Sequence, residues 1–260
     1  MNMSEKLSET LRCRKALVTF LTVGDPLAWD GQVMDALASG GVDAFELGIP
    51  TRLAKYDGPT IRASYRRALG SGVDERCAVS LLQEVKGLAH PILFTYYEAA
   101  LSYGLEDLMG SAAKAGIKCV LFPDLLIDYP ESLEEYIKIC EKYNLEHAFF
   151  ITSCFPHRLI VKLANLEPSF IYLGLMASTG ILLPVAINRN IRIIKSLVGE
   201  TPLLVGFALS SPQQVRLCVN AGADGVVVGS AILKLLEEGF RKSNLKNFVA
   251  GLKEALLGGS

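Results

Sequence analysis

The feature that most constrains the fold is an alternation of short apolar runs with longer segments of helical period along the whole chain. Eight apolar runs occur, at 16–23, 44–49, 91–96, 119–124, 147–152, 170–175, 202–207 and 225–229. Amphipathic segments lie between them, for example 59–69, 105–115, 132–143, 187–197 and 212–221. Strands that are apolar on both faces are typical of a parallel sheet covered by helices, so the pattern predicts an α/β protein.

Three junctions between these segments share one pattern. They read ASGGVDAFELG from residue 38, AKAGIKCVLFPD from residue 113 and VNAGADGVVVGS from residue 219. In each, a glycine ends a helical segment in the way a left-handed C-terminal cap does, and the chain enters an apolar strand within a few residues. The junctions therefore support repeated helix-to-strand units.

Eight β/α units in 260 residues match the size of a closed (β/α)8 barrel, the TIM barrel, whose functional sites lie on the loops after the strands. We predict one such domain over residues 1–260, with residues 1–14 as an N-terminal helical segment. A doubly wound open sheet is the alternative. It is less favoured because no GxGxxG follows the first strand.

Composition excludes several classes of protein. The net charge of −1 gives no electrostatic reason to expect a nucleic-acid or anionic-membrane partner, and 50% hydrophobic residues exclude disorder. The six cysteines form no CxxC pair or metal-ligand cluster, so we expect reduced core thiols in a cytoplasmic protein and no metal site. The N-terminus lacks the apolar segment of a secretory signal. The uncharged stretch 168–188 is predicted to be a buried strand and a loop, with a membrane span as the alternative.

Two carboxylates are candidates for chemistry. Side chains alternate along the second strand, so packing Phe45, Leu47 and Ile49 on the helices turns Glu46 into the barrel near its carboxyl-terminal mouth. Asp57 follows eleven residues later, in the loop that the fold brings to the same mouth. Two acids in different environments can divide acid and base roles. The alternatives are a paired structural glutamate and, for Asp57, a helix cap in front of Pro59.

The last two strand-to-helix loops predict an anion site. Residues 205–210 follow the seventh strand, and Gly229-Ser230 follows the eighth and opens a short apolar helix. Small residues let backbone NH groups approach a ligand, and the start of a helix favours a phosphate. Barrels of this type place phosphates at this corner.

With these residues in hand, the sequence resembles the α subunit of tryptophan synthase over nearly its whole length. The matching blocks are LTVGDP at 21–26, FELGIP at 45–50, DGPTI at 57–61, Gly206-Phe207 with Ser210, and Gly229-Ser230-Ala231. The combination of ELGIP and DGPTI at the family's separation is specific.

The resemblance implies a cytoplasmic lyase of tryptophan biosynthesis that cleaves indole-3-glycerol phosphate to indole and glyceraldehyde 3-phosphate. Asp57 would hold the indole NH and accept its proton, and Glu46 would protonate C3 and help remove the proton of the glycerol hydroxyl. The residues that match substrate-binding positions are Phe20, Tyr96, Leu121 and Tyr172 around the indole pocket, Gly180, Gly206, Phe207, Ala208, Gly229 and Ser230 at the phosphate, and Ile61 and Thr179, which are assigned to neither part. It also implies no cofactor in this chain. The partner is a β subunit that holds pyridoxal phosphate, in an allosteric α2β2 heterotetramer.

The sequence departs from the family in its loops. Residues 51–56 read TRLAKY where most members have a segment like FSDPLA, in the loop that carries Asp57 and touches the β subunit. Residues 176–180 replace the family's SRxGVTG lid, and Asp124-Leu125-Leu126 stands for Asp-Leu-Pro or Asp-Val-Pro. The alternative function is therefore an α subunit with weak or absent cleavage, kept to activate the β subunit. A third hypothesis, a sugar-phosphate epimerase, needs metal-ligand histidines that the sequence lacks.

Overall fold

The chain folds into a ring of parallel strands with helices outside it. The structure is a computed structural model and describes residues 6–85, 87–174, 184–206, 209–239 and 241–258. Over those ranges the strands are β1 Ala16–Thr22, β2 Ala44–Gly48, β3 Pro91–Phe94, β4 Cys119–Leu121, β5 Glu146–His147, β6 Phe149–Thr152, β7 Ile171–Gly174, β8 Leu203–Gly206 and β9 Gly225–Val228. Every apolar run of the sequence contains one of these strands, and the fifth run, 147–152, contains β6 and the last residue of β5.

The sheet order closes the ring. It runs β5-β4-β3-β2-β1-β9-β8-β7-β6, with every pairing parallel. The two ends of this order, β5 and β6, are separated along the chain only by Ala148. The amide of Ala148 bonds back to Val120 O at 3.2 Å, and that of Phe149 bonds to Phe170 O at 3.3 Å. β5 and β6 therefore act as one strand of an eight-stranded barrel, which confirms the predicted (β/α)8 fold.

Helices follow the strands around the ring. They are α1 Leu7–Cys13, α2 Gly31–Ser39, α3 Pro59–Gly70, α4 Glu75–Leu81, α5 Tyr97–Tyr103, α6 Leu105–Ala115, α7 Leu125–Asp128, α8 Leu133–Lys142, α9 His157–Ala164, α10 Pro184–Val198, α11 Pro212–Asn220, α12 Ser230–Glu237 and α13 Lys242–Leu257. Two 3₁₀ turns, Leu82–Val85 and Pro130–Ser132, join them. The five amphipathic segments predicted from the sequence all coincide with helices (α3, α6, α8, α10 and α11).

The three similar junctions have the backbone that their glycines predict. Gly41, Gly116 and Gly222 have φ of 100°, 89° and 108°, in the left-handed region that favours glycine. In the first junction the residue with positive φ is the second glycine, since Gly40 still has φ −80°. Each glycine lets the chain reverse from its helix into the next strand.

The N-terminal helix α1 covers the opposite end of the barrel from the strand carboxyl ends. The carboxylate of Glu146, at the start of β5, accepts hydrogen bonds from the amides of Leu7 and Ser8 at 2.9 and 3.2 Å. A carboxylate at the first turn of a helix satisfies amides that have no partner within the helix. Leu7 and Leu11 are buried in the core. This end of the barrel is therefore closed.

Of two expectations from composition, the one about the uncharged stretch agrees with the structure and the one about the cysteines does not. No helix in the described ranges is long and apolar enough to cross a membrane, and the uncharged stretch contains β7, as predicted. The expectation that all six cysteines are core thiols is wrong for half of them. Cys119, Cys140 and Cys218 are buried, but Cys13, Cys77 and Cys154 are exposed and free. Cys13 and Cys77 lie on the outer faces of α1 and α4, and Cys154 lies in the loop after β6.

Candidate active site

A cavity of about 270 Å³ opens at the carboxyl-terminal end of the barrel. Both predicted carboxylates line it. The other side chains and turns around it come from the strand ends and the loops after them: Phe20, Tyr56, Ile61, Phe94, Phe150, Tyr172, Gly229, Ser230 and Lys234 are among them. Sites in this fold lie at this end because the strand-to-helix loops converge here.

Glu46 lies on the inner face of β2, at the level of Phe20 on β1. The residue is 2% exposed, and its Oε1 atom has no hydrogen-bond partner within the described part of the chain. Burial raises the pKa of this carboxyl to about 8, and the nearby charge of Asp57 acts in the same direction. A buried carboxyl group with a raised pKa is a candidate proton donor at neutral pH.

Asp57 is held at the cavity by Tyr96. The Tyr96 hydroxyl donates a 2.9 Å hydrogen bond to Oδ2 of Asp57. The alternative role of Asp57 as a helix cap is not what the structure shows, because Gly58 is the N-cap residue of α3 and no side chain bonds to that helix start. Burial raises the pKa of Asp57 to about 6, although the Tyr96 bond and the charge of Arg62 lower it. Asp57 is therefore ionised at neutral pH while Glu46 is protonated.

The LTVGDP segment after β1 fixes the helix that follows Asp57. Asp25 is fully buried and binds the Arg67 guanidinium through both oxygens, at 3.0 and 2.6 Å. It also accepts a hydrogen bond from Ser64, and its Oδ1 accepts one from the amide of Leu27 at 3.1 Å. Ser64 and Arg67 both belong to α3. The contact therefore fixes the position of α3 relative to the end of β1.

The indole-side residues form an apolar wall. Phe20, Ile61 and Tyr172 line the cavity directly, and the Phe20 ring meets the Phe94 ring edge-on at 5.6 Å between centroids. Tyr96 is fully buried, and it reaches the site through its hydroxyl. Leu121 is fully buried beside Phe94 on the neighbouring strand and does not line the cavity itself.

The predicted phosphate corner is formed by the neighbouring strands β8 and β9. Gly206 at the end of β8 lies in register with Val227, two residues before Gly229. A Cβ on Gly206 would lie 2.0 Å from the Tyr172 hydroxyl, and one on Gly229 would lie 2.8 Å from Phe20 Cβ. Both glycines therefore let the backbone approach the pocket closely. Ser230 begins α12, whose first amides have no partner within the helix. Thr179, Gly180, Phe207 and Ala208 lie outside the described residues.

Several cavity residues were not selected from the sequence. Phe94 and Phe150 share the inner face of their strands, so counting alternate side chains on β3 and β6 would have found them. Lys234 stands four residues after Ser230, on the same face of α12, which is also a readable signal. Nothing in the sequence pointed to Tyr56, because its place depends on the path of an irregular loop.

The described residues contain no group of three or more histidine, cysteine, aspartate or glutamate side chains able to hold a metal ion. This gives no support to the epimerase hypothesis, which needs such a cluster at the strand ends. His90 and His147 lie at strand entrances, at the end of the barrel opposite to the cavity. What remains at the cavity is an acid pair in an apolar pocket, with the glycine turns of the predicted anion site beside it.

Comparison with known proteins decides the family. A model of the family "Tryptophan synthase alpha chain" matches residues 7–256. The chain belongs to the tryptophan synthase alpha chain family. Members of this family catalyse the cleavage of indole-3-glycerol phosphate, a lyase reaction, and they work with a β subunit.

Curated tryptophan synthase alpha chains match nearly from end to end. The protein of Sulfurisphaera tokodaii is 36% identical over 228 residues, covering 86% of this chain and 91% of its own. That of Saccharolobus solfataricus is 34% identical over 247 residues, covering 92% and 98%.

Two solved structures are similar in fold. A mutant tryptophan synthase α subunit from Pyrococcus furiosus has a TM-score of 0.78 at 27% identity, covering 94% of this chain and 99% of its own. An aminoacrylate-bound tryptophan synthase from M. tuberculosis has a TM-score of 0.82 at 23% identity, covering 97% and 100%, and at that identity it speaks for the fold alone.

Proposed function

We propose that this chain itself cleaves indole-3-glycerol phosphate by a retro-aldol reaction, with Glu46 and Asp57 as the acid–base pair. The observation that carries the proposal is the placing of both carboxylates on one apolar cavity, with pKa values of about 8 and about 6. Two carboxyl groups whose environments separate their pKa values in this way can act as acid and base at the same pH.

The protonation states fit the steps of the reaction. Ionised Asp57 binds the indole NH and takes its proton, so that nitrogen electron density moves toward C3 of the ring. Protonated Glu46 then gives its proton to C3. The resulting Glu46 carboxylate takes the proton of the glycerol hydroxyl as the carbon–carbon bond breaks, which leaves an aldehyde and returns the electron pair to the indole ring. Glu46 ends protonated and Asp57 returns its proton to the ring nitrogen, so no net proton is consumed.

The walls of the cavity support the same substrate. Phe20, Phe94, Phe150 and Tyr172 offer apolar surface for a planar indole ring. At the other side, the first turn of α12 and the small residues Gly206 and Gly229 suit a phosphate group. Lys234 lines the cavity one turn into α12 and adds a positive charge there. An apolar lining also excludes water from the reacting atoms.

For the assembly, we propose an α2β2 complex with a β subunit that carries pyridoxal phosphate, and no cofactor in this chain. The family's known pairing with a β subunit supports this. The alternative, a chain kept mainly to activate the β subunit, stays a hypothesis. The position of Asp57 at the cavity favours the lyase.

Steady-state indole release from indole-3-glycerol phosphate tests the proposal, with the isolated chain and with a β subunit added. We expect Glu46→Gln to lower kcat by about 10²-fold or more, the scale of general acid–base catalysis. Glu106→Gln, on the outer surface of α6, is the matched control and is expected to leave the rate unchanged. A Glu46→Gln rate equal to that of the wild type refutes the lyase mechanism. Stimulation of β-subunit condensation without any indole release would favour the alternative.

A further inference from the structure

The loop from Thr51 to Asp57 departs from the family pattern and yet carries the proposed catalytic base. Two neighbouring side chains of this loop bind one carboxylate on another element. The Tyr56 hydroxyl lies 2.9 Å from each oxygen of Asp128, at the end of α7, and Lys55 Nζ lies 2.8 Å from Asp128 Oδ2. Lys55 also reaches Glu98 on α5 at 3.2 Å. The side chains that replace the family's FSDPLA segment therefore make specific contacts.

We call Asp128, with Lys55 and Tyr56 bound to it, the anchor of the loop. A second set of contacts joins this anchor to Asp57. The amide of Tyr56 donates a 2.9 Å hydrogen bond to the Tyr96 hydroxyl, which in turn donates to Asp57. The rings of Tyr56 and Tyr96 stack at 6.3 Å between centroids, with 11° between their planes. One hydroxyl thus links the backbone of the loop to the carboxylate, and the ring above it fixes where that hydroxyl lies.

The backbone of the loop is also held from α3. Arg62 Nε donates to Ala54 O and Nη2 donates to Lys55 O, both at 2.8 Å. These two bonds satisfy carbonyl groups in a segment without regular secondary structure. Arg62 therefore fixes the carbonyl side of the loop while Asp128 fixes its side chains.

The exposure of the anchor sets the size of its effect. Lys55, Glu98 and Asp128 have side chains that are 41%, 39% and 28% exposed. An ion pair of that exposure contributes little free energy by itself. Burial, and next the bond to Asp128, raise the pKa of the Tyr56 hydroxyl to about 12, so it remains a neutral donor. Asp128 joins both contacts, and removing it releases them together.

We propose that Asp128 is a positioning residue for Asp57, acting through Lys55 and Tyr56 to hold the loop so that the Tyr96–Asp57 hydrogen bond forms without a partner chain. The proposal rests on the lyase function above for its catalytic consequence. Asp128 does not line the cavity. Any effect of its removal on the reaction therefore passes through the loop.

The chain offers a matched control for this arrangement. Glu106 accepts a hydrogen bond from the Tyr143 hydroxyl at 2.7 Å and pairs with Lys142 at 2.5 Å. This is the same chemistry as at Asp128, a carboxylate bound by consecutive lysine and tyrosine residues, but it lies between α6 and α8 on the outer surface. Asp128→Ala and Glu106→Ala thus remove equivalent contacts at two distances from the site.

The first measurement is kcat/KM for indole release by the isolated full-length chain across pH. We expect Asp128→Ala to lower it about 3- to 10-fold and Glu106→Ala to leave it within about 2-fold. The acid limb should also move to higher pH in Asp128→Ala, because the Tyr96 bond that lowers the pKa of Asp57 weakens. The other groups that face Asp57 are Arg62, Glu46, Tyr65 and Tyr172, and none of these residues is substituted in the variants. Asp128→Asn, which keeps an acceptor for Tyr56, should fall between wild type and Asp128→Ala.

The second measurement is hydrogen–deuterium exchange of peptides covering residues 51–58, which needs no activity. We expect faster exchange in Asp128→Ala than in wild type or Glu106→Ala, because the loop is no longer held by Asp128 and the hydrogen bond from the Tyr56 amide to the Tyr96 hydroxyl opens more often. Equal exchange and equal pH profiles in the two alanine variants overturn the proposal. If exchange is faster in Asp128→Ala but the wild-type chain releases no indole, the lyase function is contradicted and the positioning of the loop by Asp128 is upheld.

Discussion

The Tyr96 hydroxyl donates a 2.9 Å hydrogen bond to Asp57 Oδ2 and accepts one of 2.9 Å from the amide of Tyr56. The same oxygen atom therefore contacts the proposed catalytic base, Asp57, and the backbone of the loop that delivers it. Because burial raises the pKa of Asp57 and this bond lowers it, Tyr96 sets the balance that leaves Asp57 ionised near neutral pH.

The two carboxyl groups predict a bell-shaped pH profile. Asp57 must be ionised to accept the indole NH, so kcat/KM should rise as pH increases through about 6. Glu46 must be protonated to donate a proton to C3, so kcat/KM should fall as pH increases through about 8. The check is kcat/KM for indole release between pH 5 and 9, in buffers of constant ionic strength. A profile that is flat between pH 7 and 9 would contradict the role of Glu46.

Tyr96→Phe should move only the acid limb of that profile. The variant keeps the stacked ring but removes the hydrogen bond to ionised Asp57, so the pKa of Asp57 rises and activity at pH 6 falls more than activity at pH 8. Tyr143→Phe removes a comparable tyrosine–carboxylate bond at the surface and serves as the control. Equal losses at pH 6 and pH 8 in Tyr96→Phe would speak against this assignment.

Glu46 should make the stability of the protein depend on pH. Its pKa is raised from 4.5 to about 8 in the folded chain. Between those pH values the unfolded chain has released the proton and the folded chain retains it, so stability falls as pH rises through this window. Glu46→Gln stays neutral. Its gain in unfolding free energy over wild type should therefore grow from about zero near pH 4.5 to a few kcal/mol at pH 8.

Urea unfolding of wild type and Glu46→Gln at pH 5 and pH 8 measures that difference. Glu106→Gln is the control of opposite sign, because Lys142 lowers the pKa of Glu106 and its charge is favourable in the folded state. The expectation fails if the advantage of Glu46→Gln is the same at both pH values.

Gly206→Ala should damage substrate binding. The added Cβ would lie 2.0 Å from the Tyr172 hydroxyl, so the Tyr172 ring must leave its place in the cavity wall. A displacement of that size costs on the order of 10- to 100-fold in kcat/KM. Gly251→Ala, inside α13 with nothing within 4 Å of its new Cβ, should leave kinetics unchanged and raise stability by about 0.5–1 kcal/mol. Similar kinetics for the two variants would show that Tyr172 is not needed.

Asp25→Ala should destabilise the fold strongly. It removes a buried carboxylate and leaves the Arg67 guanidinium with only Glu237 as an acidic partner in the described structure. Breaking a buried ion pair costs about 3–5 kcal/mol. Asp30→Ala, the loss of the α2 N-cap bond to Gln32, should cost only about 1 kcal/mol. Chemical denaturation of both variants gives the comparison, and a cost for Asp25→Ala near that of Asp30→Ala would contradict the structural role.

The inward direction of Glu46 could be read from the sequence because it follows from a local rule. Side chains alternate along a strand, and the bulky neighbours Phe45 and Leu47 occupy the helix-facing side. The position of Gly229-Ser230 followed in the same way from the number of strands before it. The prediction that Cys13, Cys77 and Cys154 are buried was wrong because their exposure follows from no such local rule. Which face of a helix or loop is covered depends on its neighbours.

What the amino-acid sequence determined by itself was the ring of eight parallel strands, the inward Glu46 and the glycine turns at the anion corner, since these follow from periodicity and backbone freedom over a few residues. Only the tertiary structure decided that Asp57 is bound by Tyr96 and is not a cap, and that Tyr56 is held by Asp128. Those partners are separated by 39 and 72 positions in the chain. Their meeting depends on the closure of the barrel and on the path of an irregular loop, which no local pattern encodes.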